Sequence, residues 1–224
     1  MPILLSLDSS TSVCSAALHE HGELIADLEH HTPQMAAAQL VPLIEELFHS
    51  TGLSKSRLHG VALSAGPGSY TGLRISAATA KGICYGLGIP LVTLDSLMVL
   101  SSSLVNHQDG RWLSPMIDAR RMEVYTCLLS EELEIIRPTQ PLVVDENSFG
   151  EVLGQHRIDF FGDGAGKCRS VIRHGNAHFI DGVYPRAAHM GKLAFRKFER
   201  GDFADTRTWE PAYLKEFAAK TKKT

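Results

Sequence analysis

The segment Gly66-Pro-Gly-Ser-Tyr-Thr-Gly-Leu-Arg74 joins an apolar run, Val61 to Leu63, to helix-forming residues that extend to Leu87. Backbone N–H groups at such a helix start attract anions, so this order of residues could hold a phosphate or a carboxylate. It serves equally as a tight strand-to-helix connection that binds nothing, with Gly66 and Gly68 freeing the backbone and Pro67 fixing its own φ. In both readings Ser69 or Thr71 caps the helix. Two catalytic motifs are excluded. A P-loop needs lysine after its last glycine, whereas Gly72 is followed by Leu73 and Arg74. A nucleophile elbow needs glycine two residues to either side of its serine, where Ser69 has Pro67 and Thr71. Arg74 either binds an acidic group or lays its stem along the helix.

Two carboxylates stand in matching places. Asp8 closes the apolar run Ile3 to Leu7 and is followed by Ser9-Ser10-Thr11-Ser12; Asp118 closes Trp112 to Ile117 and is followed by Ala119-Arg120-Arg121. Each can cap the turn after its strand. The histidine pairs His19/His21, His30/His31 and His174/His178 show no third ligand, so they read as strand ends, turns and a solvated loop, and no metal site is expected. Cys14, Cys84, Cys127 and Cys168 form no Cys-x-x-Cys pair, which disfavours a structural zinc or a disulfide framework and suits a reducing compartment. With a formal net charge of -3 over 224 residues there is no broad basic field for nucleic acid, and no apolar run approaches membrane-spanning length. A cytoplasmic protein without a membrane partner is the expectation.

These residues need elements to position them. Ile3–Asp8, Val13–Leu18 and Leu24–Leu28 read as a three-stranded meander with a turn at His21-Gly22. Trp112–Asp118, Glu123–Leu129 and Leu133–Ile136 repeat the device. The first copy continues with Thr32-Pro33 as cap and first turn of a helix to Ser50, the Val61 strand, the glycine-loop helix, a strand Ile89–Leu94 and a helix Asp95–Val105. The second continues with a strand Arg157–Phe161, a turn Gly162-Asp-Gly-Ala-Gly166, a short helix Lys167–Arg173 and a helix Ala187–Arg200. A duplicated α/β domain follows, residues 1–105 and 106–224, hinged at Asn106–Gly110, with a basic, frayed tail from Lys215. Pro42 should kink the first helix.

That helix carries Ala36, Leu40, Leu43 and Leu47 on one side, with Ala37, Val41, Ile44 and Phe48 beside them. The glycine-loop helix adds Gly72, Ser76, Ala77, Ala80 and Gly86, small enough for close helix approach. So wide a stripe suggests burial against a second subunit, as a two-fold or pseudo-two-fold bundle; the alternative is burial in the chain's own domain.

With the duplicated order, Gly66 to Arg74, Met116-Ile-Asp-Ala-Arg-Arg-Met-Glu-Val-Tyr125 and Glu210-Pro-Ala-Tyr-Leu214 in view, the chain resembles the TsaB (YeaZ) family, of glycoprotease-like proteins in the actin/sugar-kinase/Hsp70 superfamily. The resemblance implies two tandem actin/Hsp70-like (RNase H-like) domains, each a mixed sheet flanked by helices. It implies a non-catalytic scaffold required for N6-threonylcarbamoyladenosine formation in tRNA. Such a scaffold pairs with and activates the catalytic subunit TsaD, meets TsaE through the complex and tRNA indirectly, with TsaC completing the pathway. A homodimer is expected when the chain is alone. No cofactor is required, and ATP or ADP would sit at an interface shared within the complex. The catalytic relative's His-x-x-x-His metal pair has no match in Gln34–His49, which holds one histidine. Asp8, Ser10, Asp118, Gly162 and Gly164 match superfamily nucleotide positions and are expected to be vestigial, the bulky Arg120 and Arg121 standing where glycine would admit phosphate. An ATPase or kinase using Asp8 and Asp118 is the alternative; a protease, suggested only by the older family label, ranks last.

Overall fold

The computed structural model describes residues 1–31, 36–104 and 110–214, the side chains of residues 36–38 excepted. Strand β1 (Ile3–Asp8) is buried throughout because it is the centre of a five-stranded sheet of order β3-β2-β1-β4-β5. Strands β2 (Cys14–Glu20) and β3 (Glu23–His30) follow it as the expected antiparallel meander. Strands β4 (Leu58–Ser64) and β5 (Leu91–Leu94) join in parallel, a pairing that requires crossovers. Helices α1 (Ala36–Thr51) and α2 (Tyr70–Leu87) supply them, and α3 (Ser96–Ser101) follows β5, capped by the Asp95 carboxylate. Helix α1 runs through Pro42 without interruption. The expected cap at Thr32-Pro33, most of the expected hinge and the tail from Lys215 lie outside the described residues.

The second sheet repeats the first. Strands β6 (Trp112–Asp118), β7 (Glu123–Leu129), β8 (Ile135–Val143), β9 (Ile158–Phe161) and β10 (Ala177–Ile180) stand in the order β8-β7-β6-β9-β10. The first three are again antiparallel neighbours and the last two parallel additions. Its crossover helices are short: α4 (Gly150–Leu153) and α5 (Ala165–Cys168). Neither α4 nor β10 was expected from the sequence.

Five layers result. α1 and α2 cover one face of the first sheet, burying Leu40, Leu43, Leu47, Ala77 and Ala80 against Leu5, Leu7 and Val61. α3 lies between the sheets, with Val99 turned to the first and Leu97 and Leu100 to the second. α4 and α5 cover the far face of the second sheet around Phe160. The remaining face of the first sheet is covered from far along the chain. A 3₁₀ turn at Ala187–His189 and helix α6 (Gly191–Glu199) set Ala187, Met190 and Ala194 on Leu4, Ala17, Ala62 and Val92. Beyond them Ala204 bridges Leu91, and the Ala212 N–H donates to the Ala65 carbonyl at 2.8 Å. The division at residues 105/106 therefore separates the sheets, but placing all of 106–224 in a second unit is corrected. An apolar sheet face must be covered, and residues 187–212 cover the first one.

Candidate functional site

The glycine loop leaves β4 at Ser64, directly beside the end of β1. Asp8 and Ser10 are both fully buried there, and the Asp8 carboxylate accepts hydrogen bonds from the Ser64 hydroxyl, the Ser10 N–H at 3.1 Å and the Ser10 hydroxyl. Burial holds the Asp8 pKa above the ordinary carboxylate value, and these three donors offset part of that rise. The arrangement ties the ends of two parallel strands to the turn between β1 and β2. It is the turn-capping role; the carboxylate faces no solvent.

Across this turn lies the start of α2. Ser69 is the cap, its hydroxyl accepting from the Gly72 N–H at 3.3 Å, while Thr71 is exposed. The Ser69 N–H is spent on the Ser10 carbonyl at 2.7 Å, and the Ser9 hydroxyl donates to the Gly72 carbonyl at 2.8 Å. A Cβ on Gly68 would overlap the Ser10 carbonyl, and one on Gly72 the Ser9 carbonyl. At Gly66, φ is +108° and an added Cβ would stand 2.8 Å from the Ala212 carbonyl oxygen; the bond to Pro67 is cis. The glycines thus let α2 sit on the chain's own backbone. The space that a phosphate would need between loop and turn is filled, which favours the connection over the anion site.

The second carboxylate is differently placed. Asp118 is half exposed; it pairs with Lys167 and accepts from the Arg120 N–H at 2.9 Å. Its own N–H donates to Asp163 at 3.0 Å, and Lys167 also reaches the Glu123 carbonyl at 2.6 Å. Arg120 and Arg121 both take positive φ, at 70° and 50°, so the turn is bent around two bulky side chains. A Cβ on Gly162 would overlap the Met116 carbonyl, and Gly164 lies against Ile117 and the Asp118 N–H. These glycines, too, admit neighbouring backbone. Ser64, Lys167 and Asp163 were missed from the sequence. Only Ser64, closing the apolar run beside Asp8's strand, carried a signal.

The residues expected to meet a partner are buried in the chain itself. Leu40, Leu43, Leu47, Ser76 and Ala80 are at most 1% exposed, Ala77 is 6% exposed and Gly72 is buried, so they are not a contact surface. The side chain of Ala36 lies outside the described residues. The wide stripe is consumed twice, once by the sheet and once by the neighbouring helix. What the helix pair turns outward is a groove of about 310 Å³, lined by Val41, Ile44, Phe48, Thr79, Ile83 and Leu87. His19 also departs from expectation: it is buried, with its Nδ1 3.0 Å from the Ser6 hydroxyl and its Nε2 3.1 Å from the Ala188 carbonyl. Among the described residues no group of three or more metal-ligating side chains comes together, and no helix is long and apolar enough to cross a membrane.

Comparison with known proteins bears on this pair of closed turns. Residues 31–164 match the family model described as TsaD, tRNA N6-adenosine threonylcarbamoyltransferase. The chain belongs to the TsaD family. Among curated proteins it is similar to the tRNA threonylcarbamoyladenosine biosynthesis protein TsaB of Haemophilus influenzae, 33% identical over 124 residues. That match covers 54% of this chain, and the chain spans about half the length of that relative, 51%. The TsaB protein of Bacillus subtilis is 28% identical over 226 residues, with 98% of this chain and 96% of that protein covered. The solved YeaZ structure from Pseudomonas aeruginosa superimposes with a TM-score of 0.82 at 26% identity, over 96% of this chain and 100% of that one. The resemblance to TsaB (YeaZ) drawn from the sequence is therefore sound. So is the α/β fold of two mixed, helix-flanked sheets.

Proposed function

We propose that this chain is a non-catalytic scaffold subunit in the formation of N6-threonylcarbamoyladenosine in tRNA, one that binds and activates a catalytic TsaD partner. The observation that carries the reading is the filled turn. A nucleotide-hydrolysing member of this fold needs open space between its first-strand aspartate and the adjoining glycines, and here Ser9 and Ser10 touch Gly68 and Gly72. Asp8 is inside the protein and Asp118 is engaged by Lys167. The outward groove of the helix pair supports the scaffold role. Val41 on its wall is 51% exposed, and Tyr85, next to Gly86 of its rim, is 89% exposed. Such apolar surface suits the matching helices of a homologous subunit, or of a second copy when the partner is absent. TsaE joins through that complex, and ATP or ADP, where used, binds at a surface shared with the partner.

Gel filtration with light scattering tests this, on the chain alone and mixed with TsaD of the same organism. The wild type is expected to form a one-to-one complex, and Val41→Glu and Tyr85→Glu to lose it while keeping the wild-type melting temperature. Substituting Ala77 would test folding instead, since it is buried. No association with TsaD sinks the scaffold reading. ATP hydrolysis by the isolated chain that disappears in Asp8→Asn would replace it with the enzyme reading.

A further inference from the structure

The face of the first sheet opposite the groove is closed by α6, and what that helix turns to solvent is charge. Its apolar residues point inward: Ala194 is fully buried on the sheet with Leu193 and Phe198 packed beside it, and the Phe195 ring meets that of His21 at 5.4 Å. The exposed residues are Lys192, Arg196 and Glu199, with Arg200 as the C-cap. Lys192, Arg196 and Arg200 recur every four residues, which sets them in one row about 6 Å apart along the helix. Among the described residues no carboxylate lies within ion-pairing distance of Arg196 or Arg200. Lys192 reaches Glu23 only at 3.8 Å, with the two side chains 72% and 76% exposed, so that pair holds it weakly. Lys197, on the flank of the row, is the one held closely, by Asp202 at 2.9 Å.

We infer that Lys192, Arg196 and Arg200 form a contact for the phosphate backbone of RNA. A row of cations at this spacing, close to that of successive phosphates on a strand, draws its affinity from released counterions and needs no shaped pocket. The guanidinium forks of Arg196 and Arg200 can each give a phosphate two parallel hydrogen bonds. A protein partner fits the same face poorly, because a protein interface needs an apolar centre and every exposed residue of α6 is charged. The chain's net charge of -3 gives no general attraction for a polyanion, so binding is confined to this face and salt-sensitive. The row lies across the sheet from α1 and α2, and RNA bound to it leaves the groove free. This goes beyond the scaffold reading by giving the RNA a direct contact on this chain; it rests on that reading only for the RNA being tRNA.

Fluorescence anisotropy of the full chain with a labelled RNA stem-loop tests this, with oligoglutamate as an unlabelled competitor. The stem-loop is expected to bind, and log Kd to rise linearly with log salt. Arg196→Gln and Arg200→Gln should each weaken binding by roughly fivefold and make that dependence shallower by about one unit. Glu199→Gln, which removes the carboxylate beside the row, should tighten binding by roughly threefold, a gain that misfolding cannot produce. Arg173→Gln, the same charge change at an exposed site of the second half, should leave binding as it is. Absence of RNA binding, wild-type affinity in both α6 arginine variants, an equal loss in Arg173→Gln, or displacement of the RNA by oligoglutamate as readily as by unlabelled RNA would each overturn the proposal. So would loss of TsaD association in the α6 variants with RNA binding intact. Failure of the scaffold reading shows separately, as no complex with TsaD whatever the RNA does.

Discussion

The two halves share one strand order and differ in what they build on it. In the first, the crossover helices run 16 and 18 residues and bury a continuous layer; in the second they run four residues each. The first half's aspartate is sealed beneath its glycine loop, whereas the second half's is at the surface beside a lysine. One duplicated sheet has thus become a heavily covered half with an outward helix pair and a lightly covered half. The difference teaches that the strand-end aspartate is a structural device twice over, with an energetic weight set by its surroundings.

The sharpest way to break this comparison is to force the turns open. Gly72→Ala places a Cβ on the Ser9 carbonyl and is expected to cost about 3 kcal/mol or more. Gly164→Ala meets the Ile117 carbonyl carbon at 2.9 Å and should cost less. Urea midpoints measure both, and equal losses would refute the claim that the first turn is the tighter.

The aspartates come next. Asp8→Ala strands the Ser64 and Ser10 donors and should cost about 2 kcal/mol. Asp118→Ala removes a half-exposed ion pair and should cost under about 1 kcal/mol. Asp8→Asn keeps hydrogen bonding without the charge. Because burial raises the native pKa of Asp8, the unfolded chain ionises first as pH rises from about 4. Wild-type stability is therefore lost relative to Asp8→Asn as pH climbs through the native pKa, and the gap then stays constant. A wild type that gains stability relative to Asp8→Asn as pH rises would contradict the buried, costly charge.

The smallest effect concerns histidine. His19 is buried, and because the Ala188 carbonyl can only accept, its Nε2 carries the proton and its Nδ1 accepts from Ser6. Burial lowers its pKa, with the Ala188 contact and the Asp27 and Glu23 carboxylates pulling the other way. Burial lowers that of His189 as well, helped by Arg186. As pH falls below about 6.5 the unfolded chain takes the proton first, so stability contributed by the neutral rings is lost down to their native pKa values. A loss of about 1 kcal/mol from pH 7 to 5, reduced in His19→Gln, is expected from melts across that range.

Much of the fold was legible because its strands are long apolar runs with clear turns: β1, β6 and β7 lie where the pattern put them, and α2 begins at a cap the sequence offered. The site was legible in part. The glycines and aspartates were marked, but local spacing cannot show that Ser9 and Ser10, some sixty positions before Gly72, fill the space beside the loop. The same limit misled the reading of α1 and α2. Periodicity reports how wide an apolar stripe is, and nothing about whether a sheet and a sister helix share it.

The return of residues 187–212 to the first sheet has a consequence for how the chain leaves the ribosome. When residue 180 has emerged, every strand of the second sheet is present, yet one face of the first still shows Leu4, Ala17, Ala62 and Val92 to water. The half made first is finished last. A nascent chain paused in that interval carries an uncovered apolar sheet, the kind of surface that holdase chaperones bind and that aggregation exploits.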